Sequence, residues 1–212
     1  ELKAKKQAKP EKKVLIPENN KKEEKSPLLL VLHGNQGNIK IAEKYWEEAL
    51  KLNNMVGLIQ SSQIVFSDAY AWNDIELGSK ELKNHYEDLK SDYNIDEDNI
   101  ILGSFSAGAR VILKSINKDY INPKGLILVG PWLPEVDNYN VIYKKLKSKN
   151  IKLYIICGTM DQDCYEGCNK FVKKLKEHKI ENFYDEIKGL KHDYPDNFKE
   201  KLKSGFDYIT KN

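Results

Sequence analysis

Nowhere does an apolar run approach the roughly 18 to 20 residues needed to cross a bilayer, so no membrane span is expected. Cysteine is scarce: Cys157, Cys164 and Cys168 are the only three. An odd, small number does not build a disulfide scaffold. Cys164 and Cys168 stand four apart in a predicted helix, share one face of it, and either pair or pack. No CxxC or HxxxH cluster elsewhere supplies further ligands, so a zinc site is not expected, and the sequence supports no organic cofactor either. An excess of one charge is lacking as well. Thirty-five Lys and Arg stand against 32 Asp and Glu, giving +3 at pH 7, which argues against a nucleic-acid binder with its concentrated basic field. A secretory signal is also missing, and a cytoplasmic protein is the expectation. The chain opens with Glu1 rather than Met, as in a processed or partial chain whose missing start held any address.

What is present suits one domain. The 212 residues allow a substantial core, and 40% hydrophobic with 32% charged residues fits a globular chain under a dense charge coat. Residues 1–13 are lysine-rich and poor in large apolar groups, which predicts a flexible or truncated N-terminal segment. Residues 14–212 form the expected single domain. Its strands are predicted at 14–16, 28–32, 55–60, 99–103, 125–129, 151–157 and 181–187. Helical patterns fall near 40–52, 78–91, 107–117, 139–149, 164–178 and 196–210. Alternation at this spacing reads as right-handed βαβ units. The fold class expected is a three-layer α/β/α sandwich on a mostly parallel central sheet.

Ligands of such folds bind beyond the carboxyl ends of the strands, and small, polar and titratable residues follow nearly every strand here. The segment Ile100-Ile101-Leu102-Gly103-Ser104-Phe105-Ser106-Ala107-Gly108 reads as strand, tight turn and helix start. A serine at the apex of such a turn needs small neighbours two residues away on each side. Ser106 has Ser104 and Gly108, so the first glycine of the G-x-S-x-G pattern is replaced by serine. Ser104 is the alternative nucleophile, and small residues easing a turn are the plain alternative to both. The helix start after Ser106 offers the Ala107 amide to developing negative charge. A second amide is expected from the loop His33-Gly34-Asn35-Gln36-Gly37, with Asn35 the first choice and Gln36 the runner-up. His33 is expected to orient that loop.

A serine hydroxyl requires a base held by a carboxylate. His85 and His178 lie in charged helices and read as surface residues. His192 stands in the loop after the last strand and is the expected base. Asp161 follows the strand ending at Cys157 and is the expected acid, with Asp163 its competitor. Asp193 would have to turn back on its own neighbour. Tyr70, Trp72 and Asp74 stand in a long connection before a helix, and Trp132 follows a strand at the same edge. Tyr70, Trp72 and Trp132 either line a substrate pocket or pack loops onto the sheet.

The stretches LLLVLHGNQGN, YAWNDIE, NIILGSFSAGARVILKS, GLILVGPW, YIICGTMDQDCYEGC and GLKHDYPDNF resemble the α/β-hydrolase superfamily, in its small carboxylesterase and phospholipase-like serine esterase branch, from about residue 14 to 210. The resemblance implies hydrolysis of small carboxylic esters or thioesters through Ser106, Asp161 and His192, with Asn35 and Ala107 at the oxyanion positions. Two departures stand out: Ser104 at the elbow, and an incomplete first hairpin that would shorten the sheet. A serine peptidase or amidase, and a catalytically silent binding protein on the same fold, are the rival accounts.

Overall fold

Leu28 to Leu32 are five consecutive residues with no solvent exposure, and their place in the sheet explains why. They lie in β2 (Ser26–Leu32), paired in parallel with β3 (Met55–Gln60) on one side and β6 (Ile95–Phe105) on the other. Side chains alternate along a strand. Leu28, Leu30 and Leu32 enter the apolar core on one face, and Leu29 and Val31 enter that on the other. A continuous apolar run is the signature of a strand covered on both faces.

This computed structural model describes residues 10–21 and 23–211. Among them the main sheet has seven strands in the order β1-β3-β2-β6-β7-β8-β9, with β7 at Gly125–Val129, β8 at Lys152–Gly158 and β9 at Asn182–Ile187. All neighbours are parallel except β1 (Glu11–Leu15), which runs antiparallel to β3. Helices α2 (Ile75–Asp92), α3 (Gly108–Asn117), α4 (Asn140–Ser148) and α5 (Tyr165–Glu177) cover one face. Helices α1 (Ile39–Trp46) and α6 (Phe198–Thr210) cover the other. The expected three layers are therefore present.

Differences from expectation are local. Residues 1–9 of the expected flexible segment, on which the incomplete hairpin also turns, lie outside the described residues. Strand β1 begins at Glu11, three residues before the expected Val14. The connection between β3 and α2 holds a small hairpin, β4 (Ile64–Phe66) and β5 (Ala69–Tyr70), too short for any periodicity to register. Helix α2 starts at Ile75 because Asp74 caps it, its Oδ1 accepting the Leu77 N–H at 2.9 Å. His85 is a correction: it is buried at 7% exposure, not on the surface, because it shares the inward face of α2 with Leu82 and Leu89. His178 is half-buried and stacks on Tyr143 at 4.9 Å. The three cysteines are buried and free.

Candidate active site

Four loops leave the same edge of the sheet, after β2, β6, β8 and β9, and they bring together the residues singled out in the sequence. Ser106 occupies the turn between β6 and α3 with φ of 51°, a left-handed backbone that costs a non-glycine residue about 1–3 kcal/mol and persists only where its surroundings enforce it. The enforcement is visible. Ser106 N–H donates to the Val129 carbonyl at 2.9 Å, and the Ser106 carbonyl accepts from Trp132 N–H at 3.2 Å. Behind it, a side chain at Gly108 would stand 2.9 Å from the His33 carbonyl oxygen, which explains the small residue there. Ser104 is fully buried and points its hydroxyl at no partner among the described residues; it lies within β6, away from the apex.

The Ser106 Oγ is 2.9 Å from His192 Nε2, and His192 Nδ1 is 2.7 Å from Asp161 Oδ2. This pattern places the imidazole proton on Nδ1, donated to the carboxylate, and leaves Nε2 to accept the serine O–H. Asp161 is 1% exposed, and its other oxygen accepts the Cys164 N–H at 3.0 Å. The Asp161 hydrogen bond raises the His192 pKa above its ordinary value, against the opposing effect of burial. Asp163 is exposed, and the Asp193 carboxylate accepts the Tyr194 N–H instead; neither bonds to His192.

The loop after β2 carries Asn35 and Gln36 at the surface beside this edge. Its conformation is held from beneath. His33 is 2% exposed; its Nδ1 donates to the Gly34 carbonyl at 2.7 Å and its Nε2 accepts from Ser61 N–H at 3.1 Å. Burial brings its pKa down to about 4, so it stays neutral as a loop-orienting group. Trp72 is a correction to the pocket-lining reading. It is fully buried, stacks on His33 at 4.9 Å, and donates its indole N–H to the His33 carbonyl at 2.8 Å. Its backbone N–H also donates to Asn35 Oδ1 at 2.8 Å. Tyr70 and Trp132 are half-buried; Tyr70 N–H joins the hairpin to the loop through the Gly37 carbonyl at 3.0 Å, and the Arg110 guanidinium lies 4.9 Å over the Trp132 ring. The backbone N–H groups of Ala107 and Asn35 donate to no acceptor among the described residues.

Sequence reasoning missed three contributors. Phe105 packs its ring against His192 at 4.8 Å. Gly130, at φ of 49°, runs beneath the histidine and carboxylate pair. Glu81 is buried in α2 and binds both the hydroxyl and the N–H of Ser62, steadying the chain next to Ser61. Phe105, adjacent to Ser106, and Gly130, directly after β7, had a sequence signal; Glu81 had none.

Comparison with solved structures decides the architecture. Over 92% of the chain it superposes on an uncharacterized protein from Bacillus cereus ATCC 10987, with a TM-score of 0.85 and 42% identity. It also matches esterase PE8 (TM-score 0.76, 15% identity, 95% of this chain and 100% of that one) and the Bacillus cereus carboxylesterase (0.71, 17%, 94% and 94%). The fold is that of the α/β-hydrolases. No family model and no curated protein matches the sequence. The chain spans 62% of the length of the first Bacillus cereus protein. In this fold the serine, carboxylate and histidine follow β6, β8 and β9 in turn.

Proposed function

We propose that this α/β-hydrolase is a serine hydrolase that cleaves small carboxylic esters or thioesters. The observation that carries the reading is the hydrogen-bonded chain from Ser106 Oγ through His192 to buried Asp161, set on a left-handed serine at the sheet edge. His192 Nε2 takes the serine proton as Oγ attacks the acyl carbon, and Asp161 stabilises the imidazolium that forms. The oxyanion receives the Ala107 and Asn35 N–H groups, with Gln36 the alternative donor. The imidazolium then protonates the departing alcohol or thiol, leaving an acyl-serine, and a water activated by the same nitrogen releases the acid. Tyr70 and Trp132 flank the edge as candidate substrate contacts. The machinery calls for neither metal nor organic cofactor. The esterase names of the structural neighbours support this reading over a silent binding protein.

The test is covalent labelling of the full chain by a fluorophosphonate, followed by intact mass, beside Ser106→Ala. The parent should gain one phosphonyl group and the variant none. A folded parent that stays unlabelled would overturn the reading. A labelled parent is then offered short esters, thioesters and peptide amides, and turnover confined to amides would replace esterase by peptidase.

A further inference from the structure

The sequence contains no zinc motif, yet the fold gathers three ligand-bearing side chains from two loops. Asp161 follows β8, Cys164 precedes α5 and His192 follows β9, and one ligand atom from each lies within 4.8 Å of the other two. Cys164 Sγ is 3.6 Å from His192 Nδ1. In a tetrahedral zinc site, with Zn–N of about 2.0–2.1 Å and Zn–S of about 2.3 Å, the nitrogen-to-sulfur edge is about 3.5 Å. The pair already has the spacing of two corners. Asp161 Oδ2 lies 2.7 Å from Nδ1, whereas the nitrogen-to-oxygen edge is about 3.3 Å, so those two atoms must part by about 0.6 Å. His192 sits on a loop between β9 and α6 and is the partly exposed member, at 30% against 1% for Asp161, which gives both the freedom and the entry path. Thiolate, imidazole and carboxylate are ligands that zinc accepts, while magnesium and calcium take oxygen alone.

We propose that Asp161, Cys164 and His192 form an inhibitory site for zinc or a similarly soft divalent cation; the inhibition, though not the binding, rests on the hydrolase reading above. The cation takes the Nδ1 lone pair, the Nδ1 proton moves to Nε2, and the Cys164 thiol gives its proton to solvent. Two negative ligands then balance the divalent charge, and no electron is transferred. With Nε2 protonated, His192 no longer accepts the serine proton, and Ser106 loses its base. The resting enzyme keeps the same atoms in the arrangement that activates Ser106, so catalysis and cation compete for one nitrogen.

The experiment titrates the chelator-treated full chain with Co²⁺ as a spectroscopic stand-in, then with Zn²⁺ in competition with a chromophoric chelator. A thiolate-to-cobalt charge-transfer band is expected in the parent, absent in Cys164→Ser and retained in Cys157→Ser and Cys168→Ser. Zinc affinity should fall in Cys164→Ser by at least about 10- to 100-fold, the range that follows loss of groups supporting metal ligands. In a short-ester assay, zinc should inhibit the parent reversibly, and its inhibition constant should rise by the same factor in Cys164→Ser, each protein being scaled to its own zinc-free rate. Circular dichroism checks folding, and Cys164→Ala serves if serine disturbs it. A folded parent with no band and no zinc uptake overturns the site. A band that survives Cys164→Ser but not Cys157→Ser does so too. Zinc uptake that leaves an active parent uninhibited overturns the inhibitory role. A parent that binds zinc through Cys164 but hydrolyses nothing overturns the hydrolase reading and upholds the site.

Discussion

Alanine at Gly130 and alanine at Gly189 impose the same kind of backbone strain with different neighbours, and the difference measures how tightly the histidine and carboxylate pair is held. Gly130 has φ of 49° and Gly189 has φ of 79°. A left-handed conformation costs an L-residue roughly 1–2 kcal/mol. For a chain of this size each kcal/mol lowers Tm by about 2–4 °C, so both variants should melt about 2–8 °C below the parent. At Gly189 the added methyl meets nothing within 4 Å. At Gly130 it would stand 3.2 Å from Asp161 Oδ2 and 3.3 Å from His192 Nδ1. Contacts that short force the neighbours aside by a few tenths of an ångström. Since a misplacement of about 1 Å costs about 100-fold in rate, kcat of Gly130→Ala should fall about 3- to 10-fold. Gly189→Ala should keep its kcat. Thermal unfolding by circular dichroism and kcat on a p-nitrophenyl ester read the two quantities separately. Equal kcat in the two variants would refute the claim that the carboxylate and imidazole positions limit the reaction.

Because the proposed mechanism requires a neutral His192, and Asp161 raises its pKa above the ordinary 6.5, activity should fall as the medium is acidified through a kcat/KM limb lying above that value. Asp161→Asn should move the limb to lower pH and reduce kcat by about 10⁴-fold, the loss that follows the same change in a well-studied triad. For His33 the linkage concerns stability. Its folded pKa of about 4 lies below the ordinary 6.5, so the unfolded chain binds more protons between those values and stability drops as pH falls through that window. Denaturant unfolding of His33→Gln, which keeps a donor and an acceptor, should lose about 2 kcal/mol less than the parent between about pH 7 and about pH 5; identical losses would contradict the assignment. Trp72→Phe strips the indole donor from the His33 carbonyl and should cost about 1–3 kcal/mol of stability. Its kcat should fall further than its KM rises, and a pure KM effect would argue against loop positioning.

Strands β2, β3, β7 and β8 were legible because central parallel strands are apolar on both faces, so each reads as an unbroken run between charged helices. Ser106, Asp161 and His192 were legible because each follows such a run directly, in a loop with few competing groups. Residues that act through tertiary contact were not. Trp72 and Tyr70 both stand in the connection before α2, yet one is sealed against His33 while the other stays half-exposed, a distinction made by the hairpin folding back on Gly37. His85 looked polar in a charged helix, and only the packing of α2 against the sheet shows that its face is the inner one. The Cys164 thiol beside His192 depends on the path of the chain from β8 into α5, which spacing alone does not encode.

The bond between Ser106 and His192 joins residues 86 positions apart, across the adjacent strands β6, β7, β8 and β9. Among the described residues β9 is the outermost of these, paired on one side only and mostly half-exposed. Segments with few buried contacts open at free energies well below that of global unfolding. Opening of that margin ahead of the rest would carry His192 away from Ser106 while the interior of the sheet stays intact. On the proposed hydrolase mechanism the protein would then keep its helix signal and yet be inert: in mild denaturant ester turnover should be lost before the helix signal, and on refolding it should be the last property to return.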